Sequence, residues 1–500
     1  MTPSSEEQHL LTEEYLQLDE ESRVPDNVLR LYHNEKPNQE SYAGALLRLS
    51  SKCPNIHWTL RAIGLTLLPT FLHPTSKDEE VKPLRRTACL DGLRGVAAFF
   101  VLNFHFYGAF LNANGGYVVG DPSLARFWNL PIVKVVSNGT AMVHIFFVIS
   151  GYILSLRSLQ QIRKRNLEGV LVTLSSSTLR RGIRLFGPTT LALSIEAFAL
   201  WMGLFEFSRP NMDLIPWEQS HFPPRLESAG EHLSLLRRVV WALSNFFDWN
   251  PYYPIELDGN LWTIGIEYRC SVALFVTLLA FARIHNPRMR RPILAFLTAM
   301  CISYQRWDFV LFLAGMMLAD FDTWADDQDI KTTTSHKMFW GIVTLIGLFF
   351  ASSPFGYAER AWGFGAITQF GAKVYYLEPY HFAESIGAII LVLAAMHAYH
   401  LNWVLTTSVV QYLGRISYQL YIVHGPLIRA WGFTIVPLFW RALSDSTPQR
   451  GETPYVVGVV LGYLAYLPVA ICLADIYMRL LDDNCVRLAR WLEKKLTTES

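Results

Sequence analysis

The chain contains 500 residues, of which 51% are hydrophobic, 14% aromatic and only 17% charged. Soluble domains carry about 25% charged residues, so the composition predicts an all-α polytopic protein held in the lipid bilayer. The formal net charge is +1, and the basic residues form only short clusters beside apolar runs. This distribution argues against a nucleic-acid partner.

The N-terminal part differs from the rest of the chain. Residues 1–55 are polar and acidic and lack the pattern of a cleavable signal peptide, so we expect a cytosolic, partly disordered tail. Residues 56–87 are expected to form an interfacial helix and a linker, since their apolar run is short and broken by Pro69. The membrane domain is expected at 88–480, followed by a cytosolic tail at 481–500.

The apolar runs after Leu90 predict about ten transmembrane helices. Their approximate positions are 90–111, 139–157, 185–205, 257–282, 292–304, 307–321, 338–352, 385–401, 415–437 and 454–478. The fifth run is shorter than the roughly 20 residues that cross a bilayer. Because only Gln305 and Arg306 separate it from the sixth, the pair forms either two spans or one re-entrant hairpin.

Lysine and arginine residues predict the orientation of these spans, because cytosolic loops carry the excess of positive charge. With ten spans, the basic clusters before the first span and after the second, fourth and tenth spans all fall on one side. Both termini are then cytosolic, and the long segments 206–256, 353–384 and 438–453 lie on the lumenal or extracellular side. The endoplasmic reticulum, the Golgi and the plasma membrane all fit this arrangement.

Two ionisable residues, Arg94 and His105, occupy the first apolar run. At about 100° per residue, eleven residues make three turns plus ~20°, so both side chains point from one helix face, ~16 Å apart. Placing charge there costs at least ~2.5–3.5 kcal/mol, which favours a functional site. The alternative is an arginine that extends to the interface beside a hydrogen-bonded core histidine.

Further polar residues fall inside other predicted spans. His144 lies in the second span, Glu267 in the fourth and His424 in the ninth, where Gly425-Pro426 follows. A proline at this position kinks the helix and frees a backbone carbonyl, as is common where a cavity is lined. A buried glutamate near an imidazole can tune that ring for general-base work. No cysteine or histidine spacing predicts a metal site.

Five sequence segments, taken in order, resemble the motifs of the membrane-bound acyltransferase-3 family in its fungal form. The first is LDGLRGVAAFFVLNFH, in which ten residues separate an arginine from a histidine. The others are HIFFVISGYILS, LRRGIRLFGP, LWTIGIEYR and GRISYQLYIVHGPL. The likeness covers about residues 88–480. At the position of His144 many members of the family carry an acidic residue.

The resemblance implies O-acyl transfer, most often of acetyl, from acyl-CoA to a hydroxyl of a small molecule, lipid or carbohydrate, including secondary metabolites. By this carry-over His105 is the acid/base residue, supported by Glu267, and no metal takes part. The arginines of the first and third segments would bind the donor, and three residues would line the substrate cavity. These are Arg94, Arg181 and Arg184 for the donor, and His144, His424 and Tyr421 for the cavity.

Two other classes of function remain open at this point. Polar groups at mid-membrane depth and a Gly-Pro break also suit a transporter without covalent chemistry, although no inverted repeat is visible. A receptor-like protein could keep the fold without catalysis. For an acyltransferase, these residues are compatible both with direct transfer to the acceptor and with a covalent acyl-histidine intermediate. The basic pair Arg181 and Arg184 also fits a topology signal alone.

Overall fold

The computed structural model describes residues 68–70, 84–111, 115–121, 124–215, 222–223, 225–249, 255–325 and 334–497. The chain divides into two compact units, 1–89 and 90–500. The predicted N-terminal tail and most of the predicted interfacial helix lie outside the described residues. All that follows concerns the second unit, whose first helix begins two residues before it, at Ala88.

The described residues of this unit are almost entirely helical. In chain order the helices are α1 Ala88–Leu111, α2 Gly139–Arg163, α3 Leu167–Trp201, α4 Ala229–Ser244, α5 Trp262–Phe281, α6 Pro287–Ser303, α7 Trp307–Ala325, α8 Thr334–Ala351, α9 Gly365–Val374, α10 Tyr380–His397, α11 Tyr399–Leu405, α12 Ser408–Arg415, α13 Ser417–Leu427, α14 Phe433–Leu443, α15 Thr453–Tyr477 and α16 Asp483–Thr497. The prediction of an all-α membrane protein is confirmed.

Within the described residues, seven helical segments are long and apolar enough to cross a membrane. They are α1, α2, α3, α5 with the short turn before it, α10, the segment Ser417–Leu443 and the segment Thr453–Thr497. The predicted spans at 292–304, 307–321 and 338–352 also form helices, α6, α7 and α8. Charge keeps α7 out of the group of seven, since it holds three aspartates, and α6 is too short at 17 residues and carries three arginines in its first turns.

Several helix boundaries differ from the predicted ones. The third span was predicted from residue 185, but α3 begins at Leu167, so its arginines lie inside the helix. The predicted tail after 480 is helical through Thr497. A π-helical turn, Ile428–Gly432, follows Pro426, and a second one, Met478–Asp482, joins α15 to α16. π-Turns are rare and often mark functional sites.

Glycines bring α1 against α12 and α13 in parallel. A Cβ added to Gly95 would overlap the backbone of Gly414. The backbones of α1 and α12 are therefore in direct contact, with no side chain between them. His105 follows Gly95 by ten residues, His424 follows Gly414 by ten residues, and the two histidine rings pack against each other. Because the two contacts come in the same order along both segments, α1 and α13 run parallel.

The other helices complete the surroundings of this pair. The Tyr463 hydroxyl of α15 donates to Asn103 Oδ1 at 2.5 Å, and the Tyr455 hydroxyl donates to the Phe110 carbonyl at 2.6 Å. Because Tyr463 meets the earlier residue and Tyr455 the later one, α15 runs antiparallel to α1. The α1–α13–α15 group therefore holds the two histidines in its interior.

Candidate active site

His105, predicted as the acid/base residue, and His424, predicted to line the cavity, lie together. Their ring centroids are 5.0 Å apart with 39° between the ring planes, His105 coming from α1 and His424 from α13. His424 is fully buried, whereas His105 is half-buried. The sequence separation of the two is 319 positions, so only the parallel packing of α1 and α13 forms the pair.

Hydrogen bonding fixes the tautomer of His424. Its Nδ1 lies 2.6 Å from the Tyr421 carbonyl oxygen, and since a carbonyl oxygen can only accept, Nδ1 carries the hydrogen. In the neutral ring Nε2 then holds a lone pair, and this buried atom has no hydrogen-bond partner among the described residues. A buried acceptor without a donor is costly, which is typical of a site that receives a proton or a substrate hydroxyl.

A buried group of charges lies beside His424. Arg429, in the π-turn after Pro426, donates to Glu196 Oε1 at 2.5 Å and to Asp258 Oδ1 at 3.3 Å. All three side chains are almost completely buried. Asp258 also approaches Gly425, where an added Cβ would come within 2.8 Å of Oδ1. The carboxylates neutralise the arginine, and the absence of a side chain at Gly425 lets Asp258 lie next to His424.

Tyr421 lies one helical turn before His424. Its hydroxyl is 2.6 Å from Thr263 Oγ1 on α5 and donates to the Asn260 carbonyl. Tyr421 thus ties α13 to the start of α5. Tyr421, which was predicted to line the cavity, therefore also connects two of the helices around the site.

The structure pairs Glu267 with an arginine. Arg181 Nη2 donates to Glu267 Oε1 at 2.6 Å, and Ser150 Oγ donates to the same oxygen at 3.0 Å. Arg181 Nε also donates to Ser271 Oγ at 3.1 Å. The support of His105 by Glu267 stays a prediction, and the ring that packs on His105 is that of His424. Glu267 joins α2, α3 and α5 around Arg181.

The remaining donor candidates lie near an acidic residue of the second π-turn. Asp482 interacts electrostatically with both Arg184 and Arg94. The Arg184 side chain is exposed, whereas that of Arg94 is half-buried. The three arginines predicted to bind the donor therefore come from α1 and α3, at the end of the bundle where α1 begins.

His144 belongs to a different cluster, built by α2 and α10. Its Nε2 lies 3.0 Å from His381 Nδ1, and its Nδ1 lies 3.4 Å from Glu384 Oε2. The nearby Asn138 amide donates to Glu384 and to two backbone carbonyls. Asn138 is the asparagine of an Asn-Gly-Thr sequence at 138–140, which matches the N-glycosylation pattern. It is 1% exposed, so its side chain is occupied within the fold.

Reasoning from the sequence missed several of these residues. Glu196 stands in a long apolar helix and could have been found as an ionisable residue inside a span. His381 and Glu384 are spaced i, i+3 at the start of α10 and so share a helix face. Asp258 and Arg429 also fall inside predicted spans, but their pairing has no local signal, because it depends on how α13 meets the segment before α5.

The fold and the site together define an integral membrane protein with a buried histidine site. Residues 87–479 match a family of acyltransferase domains, acyltransferase-3. The chain belongs to this acyltransferase family, and it is a transferase. This membership decides against the transporter interpretation, and no solved structure matches the chain.

Three fungal relatives have similar sequences over most of their length. The O-acetyltransferase PaAT-1 of Phomopsis amygdali is 29% identical over 86% of this chain and 88% of its own. The acyltransferase R4 of a Phoma species is 28% identical over 72% and 87%. The acyltransferase clz18 of Cochliobolus lunatus is 26% identical over 81% and 95%.

Proposed function

We propose that the protein transfers an acyl group, in the first instance acetyl, from acyl-CoA to a hydroxyl of a small-molecule acceptor. Secondary metabolites are the acceptor class to examine first, ahead of lipids and carbohydrates. The observation that carries the proposal is the buried Nε2 of His424 beside His105, which has no hydrogen-bond partner among the residues that the structure describes. The O-acetyltransferase activity in the name of the Phomopsis relative supports acetyl as the acyl group.

His105 is the proposed base, because it is the more exposed ring of the pair. His424 is proposed as a positioning residue. In the substrate complex its Nε2, which has no hydrogen-bond partner among the described residues, would accept an N–H from His105 and direct the other His105 nitrogen towards the acceptor. This arrangement generalises the base and orienting group of catalytic triads. Arg429 and the two carboxylates around it hold the His424 end of the pair rigid.

The reaction needs one proton transfer in each direction. His105 takes the proton of the acceptor hydroxyl while the hydroxyl oxygen bonds to the thioester carbonyl carbon of the donor. The carbon–sulfur bond breaks, the ester leaves, and His105 returns the proton to the CoA sulfur. Direct transfer of this kind requires no covalent intermediate on the protein.

The donor-binding proposal rests on the chemistry of the arginines. Guanidinium groups bind phosphate oxygens in a bidentate manner, and CoA is rich in phosphate. Arg184 is exposed and is proposed to contact the donor directly. Arg181 is already neutralised by Glu267 at 2.6 Å, so we propose that Glu267 sets the position of Arg181 and does not act on the acceptor.

We further propose ten membrane crossings with both termini in the cytosol. If only the seven long apolar segments crossed, Ser417–Leu443 would be the sixth and would run antiparallel to α1. The contacts of Gly95 with Gly414 and of His105 with His424 support a parallel arrangement instead. Counting α6, α7 and α8 as crossings makes this segment the ninth, which restores the parallel direction.

The proposed function is tested by acyl transfer in purified protein. Labelled acetyl-CoA is offered in detergent together with an extract of hydroxylated fungal metabolites, and CoA release and label transfer are measured. We expect His105→Ala to lower kcat on the order of 10²–10⁴-fold, the usual contribution of general-base catalysis.

The matched control is His400→Ala, which removes an exposed histidine on α11 and should leave the rate unchanged. A correctly folded His105→Ala protein with the wild-type rate would disprove the assignment of the base. Wild-type protein that neither releases CoA nor transfers label, with any acyl chain length, would count against the proposed donor.

A further inference from the structure

Three buried side chains that the proposed mechanism does not use come together where α2 and α10 begin. His144, His381 and Glu384 are 1%, 4% and 0% exposed. One nitrogen or oxygen atom from each residue lies within 4.8 Å of the other two. Imidazole nitrogens and carboxylate oxygens are ligands of Zn²⁺ and related metals.

Both imidazoles use their outer nitrogens in hydrogen bonds. His144 Nδ1 lies 2.8 Å from the Thr140 carbonyl oxygen, and His381 Nε2 lies 2.9 Å from Glu378 Oε2. A carbonyl oxygen and a carboxylate both act as acceptors, so each outer nitrogen carries a hydrogen. Metal-bound histidines have this arrangement, in which the second ring nitrogen donates to a carbonyl or carboxylate.

The inner nitrogens are left facing each other. His144 Nε2 and His381 Nδ1 are 3.0 Å apart, and in two neutral rings with their hydrogens outside, both of these atoms hold lone pairs. Lone pairs at this separation repel unless a positive charge lies between or beside them. A shared proton or a bound metal cation would supply that charge.

Glu384 favours the metal cation. Its Oε1 accepts from Thr140 Oγ1 at 2.5 Å and from Asn138 Nδ2 at 3.1 Å, which fixes the direction of the carboxylate. Its Oε2 has no hydrogen-bond partner in the part of the chain that the structure describes. This oxygen lies 3.4 Å from His144 Nδ1, whose hydrogen is donated to the Thr140 carbonyl. A fully buried carboxylate oxygen is thereby held next to the two rings and lacks a donor.

The surroundings would suit a divalent cation. The Trp307 ring stacks on both imidazoles, with centroids 4.7 Å from His144 and 4.0 Å from His381, and shields one side of the cluster. Glu378 and Glu384 bring two carboxyl groups to the cluster, and the side chain of Lys134 lies near Glu384.

We propose that His144, His381 and Glu384 bind one Zn²⁺ ion, with an open fourth position. Two histidines and one glutamate form a known catalytic zinc set. The ion would connect α2 to α10, whose ligands lie 237 positions apart in sequence. The sequence predicted no metal because no ligand pair shows a zinc-type spacing, and the proposal is independent of the proposed acyl transfer.

The experiment measures metal content rather than activity. The full-length protein is purified in detergent, stripped with a chelator, incubated with ZnCl₂ and dialysed, and zinc per chain is determined by mass spectrometry. We expect about one equivalent in the wild type and a loss of at least tenfold in His381→Ala. The matched control is His336→Ala, which removes another helical histidine paired with a tryptophan, Trp340, and should keep the zinc.

Two further measurements cover the case in which His381→Ala does not fold. Co²⁺ added to the wild type should give the visible absorption of a four-coordinate site, and His381→Cys should keep the ion and add a thiolate-to-cobalt band. Wild-type protein that retains no zinc above the His381→Ala level and shows no cobalt spectrum would overturn the proposal. The cluster would then be a histidine pair sharing a proton.

Discussion

His424 shows how one backbone contact can prepare a side chain for chemistry. The Tyr421 carbonyl holds the hydrogen of the ring on Nδ1, so the lone pair on Nε2 points to the interior without a donor among the described residues. The neighbouring charges of Arg429, Asp258 and Glu196 are buried and mutually paired. Charges arranged in this way before substrate binds need no reorganisation during the reaction.

The substitution His424→Leu tests whether this residue positions His105. If His424 positions His105, the loss of its acceptor nitrogen should lower kcat roughly 10²-fold and leave KM for acyl-CoA within about twofold. His424→Gln restores a hydrogen-bond acceptor and should recover part of kcat. Steady-state kinetics in detergent measure both constants.

The comparison variant is His397→Leu, at a histidine that stacks on Trp340 away from the pair, and it should keep both constants. A rise in KM with unchanged kcat in His424→Leu would assign this residue to donor binding instead.

At the scale of helices, the packing of α1 depends on glycine. Gly92 and Gly95 meet the backbone at Leu405 and Gly414, and such small residues allow the close helix contacts that stabilise membrane proteins. The glycine contact sets the register that places His105 beside His424 ten residues later. The LDGLRG and GRISYQL segments are thus two sides of one interface.

We therefore expect Gly95→Ala to act on both stability and catalysis. Its Cβ would overlap the Gly414 backbone, and forcing the helices apart should cost about 1–3 kcal/mol and lower the melting temperature in detergent. Activity per folded molecule should fall as well, because the histidine pair is displaced.

Gly341→Ala provides the control for this helix interface. Nothing lies within 4 Å of a Cβ at that position of α8, so the melting temperature should stay or rise, since alanine favours the helix. A Gly95→Ala protein as stable and active as the wild type would rule out the tight contact.

At the scale of the whole molecule, the number of crossings decides where the two termini lie. Ten crossings place them on the same side of the membrane, whereas seven place them on opposite sides. The helices in question, α6, α7 and α8, are marginal in length or charge. Buried pairs such as Arg290–Asp320 compensate charge inside the bundle, which reduces the cost of these residues in a membrane.

We predict that epitope tags at Met1 and Ser500 are both digested by protease in sealed microsomes. A third tag, inserted after the exposed Asp445 in the segment 438–453, should be digested only after detergent is added. Immunoblots of the three tagged proteins provide the measurement. Protection of one terminal tag and digestion of the other would give an odd number of crossings.

Much of this protein follows from the sequence alone. Apolar runs predicted the membrane helices, since a bilayer accepts only segments whose backbone is satisfied internally. Five motifs predicted the acyltransferase family, and the single-helix geometry of Arg94 and His105 singled out the first candidate site residues. Each of these features is local, encoded in one continuous segment.

Contacts between distant segments were decided by the tertiary structure. The pairing of His105 with His424, of Glu267 with Arg181, and of His144 with His381 and Glu384 depends on which helix faces meet. Close packing at glycines selects those faces, and helix periodicity within one segment carries no information about its neighbour. The sequence therefore determined which residues are polar inside the membrane, and the fold determined which of them lie together.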